Sequence, residues 1–122
     1  MVIFVDTYAI IEIDKGNPNY KKYILKPLIA ITTIFNLMEV HFKYLKDFGD
    51  VEAEQIFNHV RPIVIPINHS IIKEANKFKL SHQKKRLSFA DCIGYITAKK
   101  NNAPFLTGDY MFKDFEGVEF VK

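Results

Sequence analysis

The sequence predicts an α/β fold in which a parallel β-sheet lies between layers of helices. Short β-rich apolar runs alternate along the chain with stretches of helical periodicity, an order that favours parallel strands joined by right-handed crossovers. The first run, Val2–Val5, shows no alternation of apolar and polar residues, as expected for a strand buried on both faces. Because the chain has 122 residues, we expect one domain spanning residues 1–122.

The predicted elements follow in order. A helix over residues 8–12 ends at the turn Gly16-Asn17-Pro18-Asn19, and a second strand is predicted at residues 29–32. Thr33 can cap the next helix, which is predicted to end near Gly49. The apolar residues of that helix recur every three or four positions and are predicted to face the core: Phe35, Met38, Phe42 and Leu45. Later elements are predicted as helices at 51–60, 70–80 and 89–100, a basic loop at 82–86, a short helical segment at 110–114, and strands at 63–67, 104–107 and 118–121.

Composition excludes several protein classes. A hydrophobic content of 48% and a charged content of 25% are typical of a soluble globular protein. The single cysteine, Cys92, excludes an internal disulfide scaffold and a four-cysteine zinc site. Lys26 interrupts the longest apolar run, so no membrane span is predicted, and Asp6 ends the N-terminal run too early for a secretory signal. We therefore expect a cytoplasmic protein.

Positive charge is concentrated in the second half of the chain. The net charge is +3, and most of the excess of basic residues lies between residues 73 and 100. Lys84, Lys85 and Arg86 are the first candidates for contacts with the phosphate groups of a polyanion, because a basic loop attracts negative charge. A solvated surface loop explains the same run of charges equally well.

Three acidic residues stand where the predicted elements change. Asp6 and Asp109 each end a predicted strand, and open α/β sheets bind ligands at the carboxyl ends of their strands. Either residue could instead only cap the following helix. Asp91 closes the segment Ser88-Phe89-Ala90-Asp91, which has the spacing of a capping box. A capping role and a role in ligand binding are compatible at this position.

Glu39 is predicted to lie inside the apolar stripe of its helix. A buried carboxylate must be paired, protonated or bound to a metal, although a position at the edge of the stripe would let it reach water. With the acids above, it gives four oxygen donors and no clustered His or Cys, a set that suits Mg²⁺ or Mn²⁺ better than zinc. Cys92 and the four histidines are interpreted as structural or surface residues.

Four segments together resemble the PIN-domain ribonucleases, especially the VapC-like toxins of bacterial and archaeal toxin–antitoxin pairs. The resemblance covers nearly the whole chain, and its order and spacing are more specific than any one segment. The segments are Val5-Asp6-Thr7, Asn36-Leu37-Met38-Glu39-Val40, Leu87-Ser88-Phe89-Ala90-Asp91 and Leu106-Thr107-Gly108-Asp109-Tyr110-Met111-Phe112.

The resemblance implies a metal-dependent endoribonuclease that uses Mg²⁺ or Mn²⁺ and leaves a 5′-phosphate and a 3′-hydroxyl. Its implied catalytic and metal-binding residues are Asp6, Glu39, Asp91 and Asp109, with Ser88 and Thr107 in support. The fourth acid varies among relatives, and Tyr8 departs from the small residue that many relatives have after Asp-Thr. Implied partners are RNA, a cognate antitoxin and a second copy of the chain, with residues 44–60 as the candidate contact segment.

Other functions are compatible with part of this pattern. A non-catalytic PIN-like module that binds RNA or a partner would keep the fold without the chemistry, and a housekeeping nuclease would process RNA without an antitoxin. A phosphoaspartate receiver or phosphatase would need a further acid beside Asp6, where Thr7 and Tyr8 stand. Tyr8, Tyr95 and Tyr110 could stack on unpaired bases, or pack within the core or its rim.

Overall fold

The computed structural model describes residues 1–122 as a four-stranded parallel sheet flanked by six helices. The predicted α/β/α fold class is confirmed. The strands are β1 (Val2–Val5), β2 (Ile29–Ile31), β3 (Phe105–Thr107) and β4 (Val118–Phe120). The helices are α1 (Thr7–Asp14), α2 (Lys21–Leu25), α3 (Ile34–Phe48), α4 (Asp50–Val60), α5 (His69–Ser81) and α6 (Phe89–Lys100).

The sheet has the order β2-β1-β3-β4, so the first strand along the chain is central. Phe4 of β1 is in register with Ile31 of β2 on one side and with Phe105 of β3 on the other. All pairings are parallel, and the carboxyl ends of the strands therefore lie along one edge. This edge is called the carboxyl edge below.

Two hydrophobic cores lie on opposite faces of the sheet. Ile3 and Val5 of β1 pack in the first core, with α1, α3 and α4. Phe4, between them, points to the second core, with α5 and α6, and stacks on Phe105 at a ring separation of 5.3 Å. This alternation confirms that β1 is buried on both faces, as its apolar sequence predicts.

Side-chain caps fix the start of the helices that border the carboxyl edge. Asp6 caps α1, Thr33 caps α3 and Ser88 caps α6, each through its side-chain oxygen. Both hydrogen bonds of the predicted capping box are present: Asp91 N–H donates to Ser88 Oγ at 3.0 Å, and Ser88 N–H donates to Asp91 Oδ2 at 2.9 Å.

The prediction that Met38, Phe42 and Leu45 of α3 face the core is wrong, whereas Phe35 packs against the second core as predicted. Met38 and Phe42 are 60% and 63% exposed, whereas Leu37, Val40 and Tyr44 on the other side of the helix are buried. The helix carries two apolar stripes, and packing against α1 and α4 selects the one that the periodicity did not favour. Glu39 consequently lies between the two faces and is half-buried.

The segment 63–67 does not form the predicted strand. Only a single parallel bridge joins Val64 to Thr32, because the 3-10 turn Arg61–Ile63 precedes it and Pro66 follows it.

Within residues 44–60, Phe48 and Val51 are exposed but Ile56 is buried. None of the six helices is both long and apolar enough to span a membrane.

Candidate functional site

The four acids predicted from the sequence come from four segments near the carboxyl edge. Asp6 directly follows β1. Asp109 is the second residue after β3 and caps the 3-10 turn Tyr110–Phe112. Asp91 lies in the first turn of α6, and Glu39 lies in the second turn of α3. The charges of Asp91 and Asp109 raise the pKa of Asp6. The charge of Asp91 also raises the pKa of Glu39, and that of Asp109 raises the pKa of Asp91, which places the four acids near one another.

Asp6 is the most buried of the four acids, with 4% of its surface exposed. Its Oδ1 accepts a hydrogen bond from Ala9 N–H at 2.8 Å. The pKa of Asp6 is raised from 3.8 to about 7, mainly by burial and to a smaller extent by the charges of Asp91 and Asp109. Hydrogen bonds from Thr107 and Ala9 oppose this rise. Burial therefore favours the neutral form of Asp6 unless a positive charge is close to it.

Asp91 combines the two roles that its sequence position allowed. Its carboxylate completes the capping box of α6, and burial together with Asp109 raises its pKa. Hydrogen bonds with Ser88 and the charge of Lys79 oppose that rise. Lys79 lies on α5, and its ammonium donates to Leu87 O and lies 4.9 Å from the centre of the Phe89 ring. Nothing in the sequence distinguishes Lys79 from the other basic residues between 73 and 100, so its position near Asp91 was not predicted.

Glu39 is positioned by a chain of polar side chains that begins at the cap of α3. Thr33 Oγ1 donates to Asn36 Oδ1 at 2.7 Å, and Asn36 Nδ2 donates to Thr7 Oγ1 at 3.2 Å. Thr7 Oγ1 in turn donates to Glu39 Oε1 at 2.6 Å, which fixes the orientation of the carboxylate. Burial raises the pKa of Glu39, Asp91 raises it further, and the bond from Thr7 lowers it.

The two supporting residues predicted from the sequence also lie at the site. Thr107 Oγ1 accepts a hydrogen bond from Asp109 N–H at 3.0 Å, so its own proton can be donated to Asp6. Ser88 favours the ionised form of both Asp91 and Glu39. Each hydroxyl thus connects two of the acids.

The chemistry of this donor set fits a hard divalent cation. The ion pairs of the protein join Lys15 to Glu12, Lys43 to Asp47 and Lys100 to Glu74, so none neutralises an acid of the site. Oxygen ligands suit Mg²⁺ or Mn²⁺. No three His, Cys, Asp or Glu side chains are close enough to form a ready-made metal site, so part of the coordination would fall to water.

The predicted RNA-binding loop lies beside the second core. Gln83–Lys85 forms a 3-10 turn, and Arg86 follows it in the left-handed conformation with φ of 55°. The ammonium of Lys85 lies 5.0 Å from the centre of the Phe115 ring. No hydrogen bond or ion pair joins Lys84, Lys85 or Arg86 to an acid of the site.

Tyr95 and Cys92 belong to the core. Tyr95 packs among the aromatic rings of the second core, and its hydroxyl donates to Glu116 O. The suggestion that Tyr95 stacks on RNA bases is therefore wrong. Cys92 is fully buried, and this burial raises the pKa of its thiol to about 11, as expected for a structural cysteine.

The family model for the PIN domain matches residues 3–118, nearly the whole chain. The chain belongs to the PIN-domain family. No curated protein sequence is significantly similar to it. PIN nucleases generally use divalent metal ions, and membership of the family supports nuclease activity.

Solved structures share the fold of this PIN domain at low sequence identity. A toxin–antitoxin complex from Klebsiella pneumoniae is 19% identical, with a TM-score of 0.72, and the match covers 96% of this chain and 95% of that chain. VapC20 from Mycobacterium tuberculosis, a toxin that cleaves the sarcin–ricin loop, is 17% identical, with a TM-score of 0.72 and coverages of 94% and 92%. PAE2754 from Pyrobaculum aerophilum is 15% identical, with a TM-score of 0.66 and coverages of 98% and 92%.

Proposed function

We propose that this PIN domain is a Mg²⁺- or Mn²⁺-dependent endoribonuclease and the toxin of a toxin–antitoxin pair. The observation that carries the proposal is the grouping of four carboxylates from four segments at the carboxyl edge, with no Lys or Arg paired to them. The fold shared with VapC20, which cleaves the sarcin–ricin loop, supports RNA as the substrate. In this proposal residues 1–122 form one nuclease domain that acts in the cytoplasm.

In the proposed mechanism, Asp6, Asp91 and Asp109 hold the divalent cation through carboxylate oxygens, directly or through water. A cation bound there would supply a nucleophilic water at neutral pH and would stabilise charge on the phosphate and the leaving oxygen. Glu39 is held by hydrogen bonds from Thr7 and Ser88, and its carboxylate would orient the attacking water and accept its proton. A raised pKa suits Glu39 to this role. In-line attack on phosphorus would break its bond to the 3′-oxygen, which takes up a proton from solvent, leaving a 5′-phosphate and a 3′-hydroxyl.

Removing divalent metal is expected to abolish RNA cleavage, because the proposed site contains only carboxylate ligands that repel the substrate phosphate. The measurement is cleavage of a labelled RNA in excess EDTA, followed by addition of Mg²⁺ or Mn²⁺ beyond the chelator. The Asp91→Asn variant, purified identically, controls for contaminating nuclease. Equal cleavage rates with and without chelator, absent from the control, would contradict the metal mechanism.

A non-catalytic module that binds RNA or a partner is the second candidate. The observation in its favour is that no three potential ligands are already arranged around a common point. The same cleavage assay separates the two, since a non-catalytic module binds RNA but releases no product with any divalent metal. A housekeeping nuclease, unlike a toxin, has no cognate antitoxin. Co-purification of the chain with the protein encoded by an adjacent small reading frame would therefore identify it as a toxin.

We propose that the antitoxin covers the exposed apolar stripe of α3. Ile34, Met38 and Phe42 follow one another at intervals of four residues and are all exposed, which is costly for side chains of this size. An amphipathic helix or an extended segment of a partner would bury this stripe. The fold shared with the toxin–antitoxin complex from Klebsiella pneumoniae supports an antitoxin as the occupant.

The chain is also expected to form a homodimer through the exposed residues of segment 44–60. Val51 and Phe48 lie at the junction of α3 and α4, where a second copy would bury them. Val51→Asp should therefore shift the sedimentation profile from dimer toward monomer at high micromolar concentration. Ser70→Asp, which places the same charge on the exposed side of α5, should leave it unchanged. A monomeric wild-type chain would contradict the dimer without affecting the nuclease proposal.

A further inference from the structure

An aromatic and cationic surface adjoins the acidic site on the side of Asp109. Tyr110 directly follows Asp109, and Tyr8 follows Asp6 by two residues, so both rings begin at the carboxyl edge of the sheet. Residues from the end of β4 complete this surface. We call it the tyrosine–lysine surface, and its members are Tyr8, Tyr110, Lys113, Phe120 and Lys122.

The Tyr110 ring is accessible and supported from behind. It is 62% exposed, and the Phe120 ring lies 5.3 Å from it with an angle of 40° between the planes. An aromatic side chain that is held in place and open to solvent loses little freedom when a base stacks on it. Tyr8, the other tyrosine at the carboxyl edge, is half-buried, so its ring is less accessible to a base.

Two lysines surround these rings without an acidic partner. Lys122 Nζ lies 4.4 Å from the centre of the Tyr110 ring and 4.9 Å from that of Tyr8. Lys113 Nζ lies 5.9 Å from the Tyr110 ring. Neither lysine takes part in an ion pair. Their ammonium groups interact with ring faces and remain available to a phosphate.

Close packing at Gly108 fixes the scaffold of this surface. Val121 N–H donates to Thr107 O at 2.8 Å, and Tyr20 Oη donates to Val121 O at 2.6 Å. These bonds hold the chain beside Gly108, whose carbonyl oxygen accepts a hydrogen bond from Lys122 Nζ at 3.3 Å. The ammonium is thereby kept next to the residue that precedes Asp109.

On the basis of the proposed nuclease function, we propose that the tyrosine–lysine surface binds an unpaired RNA nucleotide beside the scissile phosphodiester. The base stacks on Tyr110, and Lys122 turns from the ring to the neighbouring phosphate. The exchange is favourable because a base replaces the ammonium over the π face, and the four-carbon stem of lysine reaches a phosphate beside the ring.

The placement of this surface selects for single-stranded RNA. A base in a duplex has both faces covered by its neighbours, so only an unpaired base can stack on an exposed tyrosine. The four acids nearby repel phosphate groups, and unpaired lysines at their border offset that repulsion. The substrate region contacting this surface is therefore a single strand or a loop.

The test is fluorescence anisotropy of a labelled single-stranded RNA of random sequence, titrated with protein in EDTA so that no cleavage occurs. Tyr110→Ala should weaken binding about 5- to 100-fold, whereas Tyr110→Phe, which keeps the ring, should bind like wild type. Lys122→Gln should reduce the salt slope of binding by about 0.7, whereas Lys46→Gln on the exposed side of α3 should leave it unchanged. Thermal melts of each variant check that the fold is intact.

Binding to a fully paired duplex of the same length should not respond to Tyr110→Ala. Equal affinity of wild type and Tyr110→Ala for single-stranded RNA, or no binding by wild type, would overturn the inference even if the protein cleaves RNA. Tyr110-dependent binding by a protein that cleaves RNA with no metal would support the inference while contradicting the proposed catalytic function.

Discussion

Asp6→Asn is expected to abolish RNA cleavage and to stabilise the metal-free protein above neutral pH. The amide keeps the cap on Ala9 N–H, because Asn and Asp are equivalent capping residues, but it cannot supply a negative charge to a cation. Losing several kcal/mol of transition-state stabilisation corresponds to a decrease in rate of about a thousandfold or more. Cleavage by wild type and variant under the same metal concentration measures this effect.

The stability effect follows from the pKa of Asp6. Because the folded-state pKa is raised from 3.8 to about 7, the folded protein keeps a proton that the unfolded chain has already lost between these two values. The stability of the wild type therefore falls as pH rises through that window, and the full penalty is present above it. The ceiling of this penalty is about 4 kcal/mol. Asp6→Asn removes it, so the variant should gain most at alkaline pH.

Urea unfolding in EDTA near pH 5 and at about pH 8 checks the direction of this effect. Asp114→Asn, at an exposed position in the turn before β4, is the matched control and should follow the wild type. Metal should stabilise the wild type and Asp114→Asn, but not Asp6→Asn, by about 2.7 kcal/mol at a concentration one hundred times the dissociation constant. If the free energies of unfolding of wild type and Asp6→Asn change in parallel with pH, the pKa of Asp6 is not raised in the folded protein.

Gly108→Ala is expected to destabilise the fold by about 1–3 kcal/mol or more, because the site has no room for a methyl group. A Cβ at this position would lie 2.1 Å from Cε1 of Tyr8 and 2.5 Å from Val121 O. The tyrosine ring can rotate away, but the carbonyl belongs to the backbone and accepts the Tyr20 hydroxyl at 2.6 Å. Moving it would break a buried hydrogen bond as well as the local packing.

The double variant Tyr8→Ala/Gly108→Ala separates the two contacts. Removing the ring should restore only part of the lost stability, because the contact with the Val121 carbonyl remains. Urea denaturation of the two single variants and the double variant gives the coupling free energy between residues 8 and 108. A Gly108→Ala protein as stable as wild type would show that the segment after β4 yields easily.

Local signals in the sequence were sufficient for most of the architecture. The uniform apolar run of β1, the cap at Thr33 and the capping box at Ser88 predicted those elements because their causes lie within a few residues. The same signals predicted that the acids lie at one edge, because strand ends and helix starts meet there in a parallel sheet. For this reason the placement of Asp6 and Asp91 could be anticipated.

Contacts between distant segments could not be anticipated. Helix α3 has apolar residues on two sides, and only its packing against α4 determines that Val40 is buried and Met38 is exposed. The hydrogen bond from Thr7 to Glu39 joins residues 32 positions apart, and the ammonium of Lys122 reaches Tyr8 from the other end of the chain. Periodicity and capping patterns do not predict such pairs, so the contacts of Thr7, Asn36 and Lys122 were found only in the structure.

The central position of β1 determines when the acidic site can form during synthesis. Phe4 pairs with Phe105, so about a hundred residues must leave the ribosome before the two middle strands can meet. Until then Asp109 is absent from the site, and the emerging N-terminal half supplies only β1 and β2 of the sheet. The complete set of carboxylates therefore assembles only after translation has passed β3, and a truncated nascent chain holds no competent site.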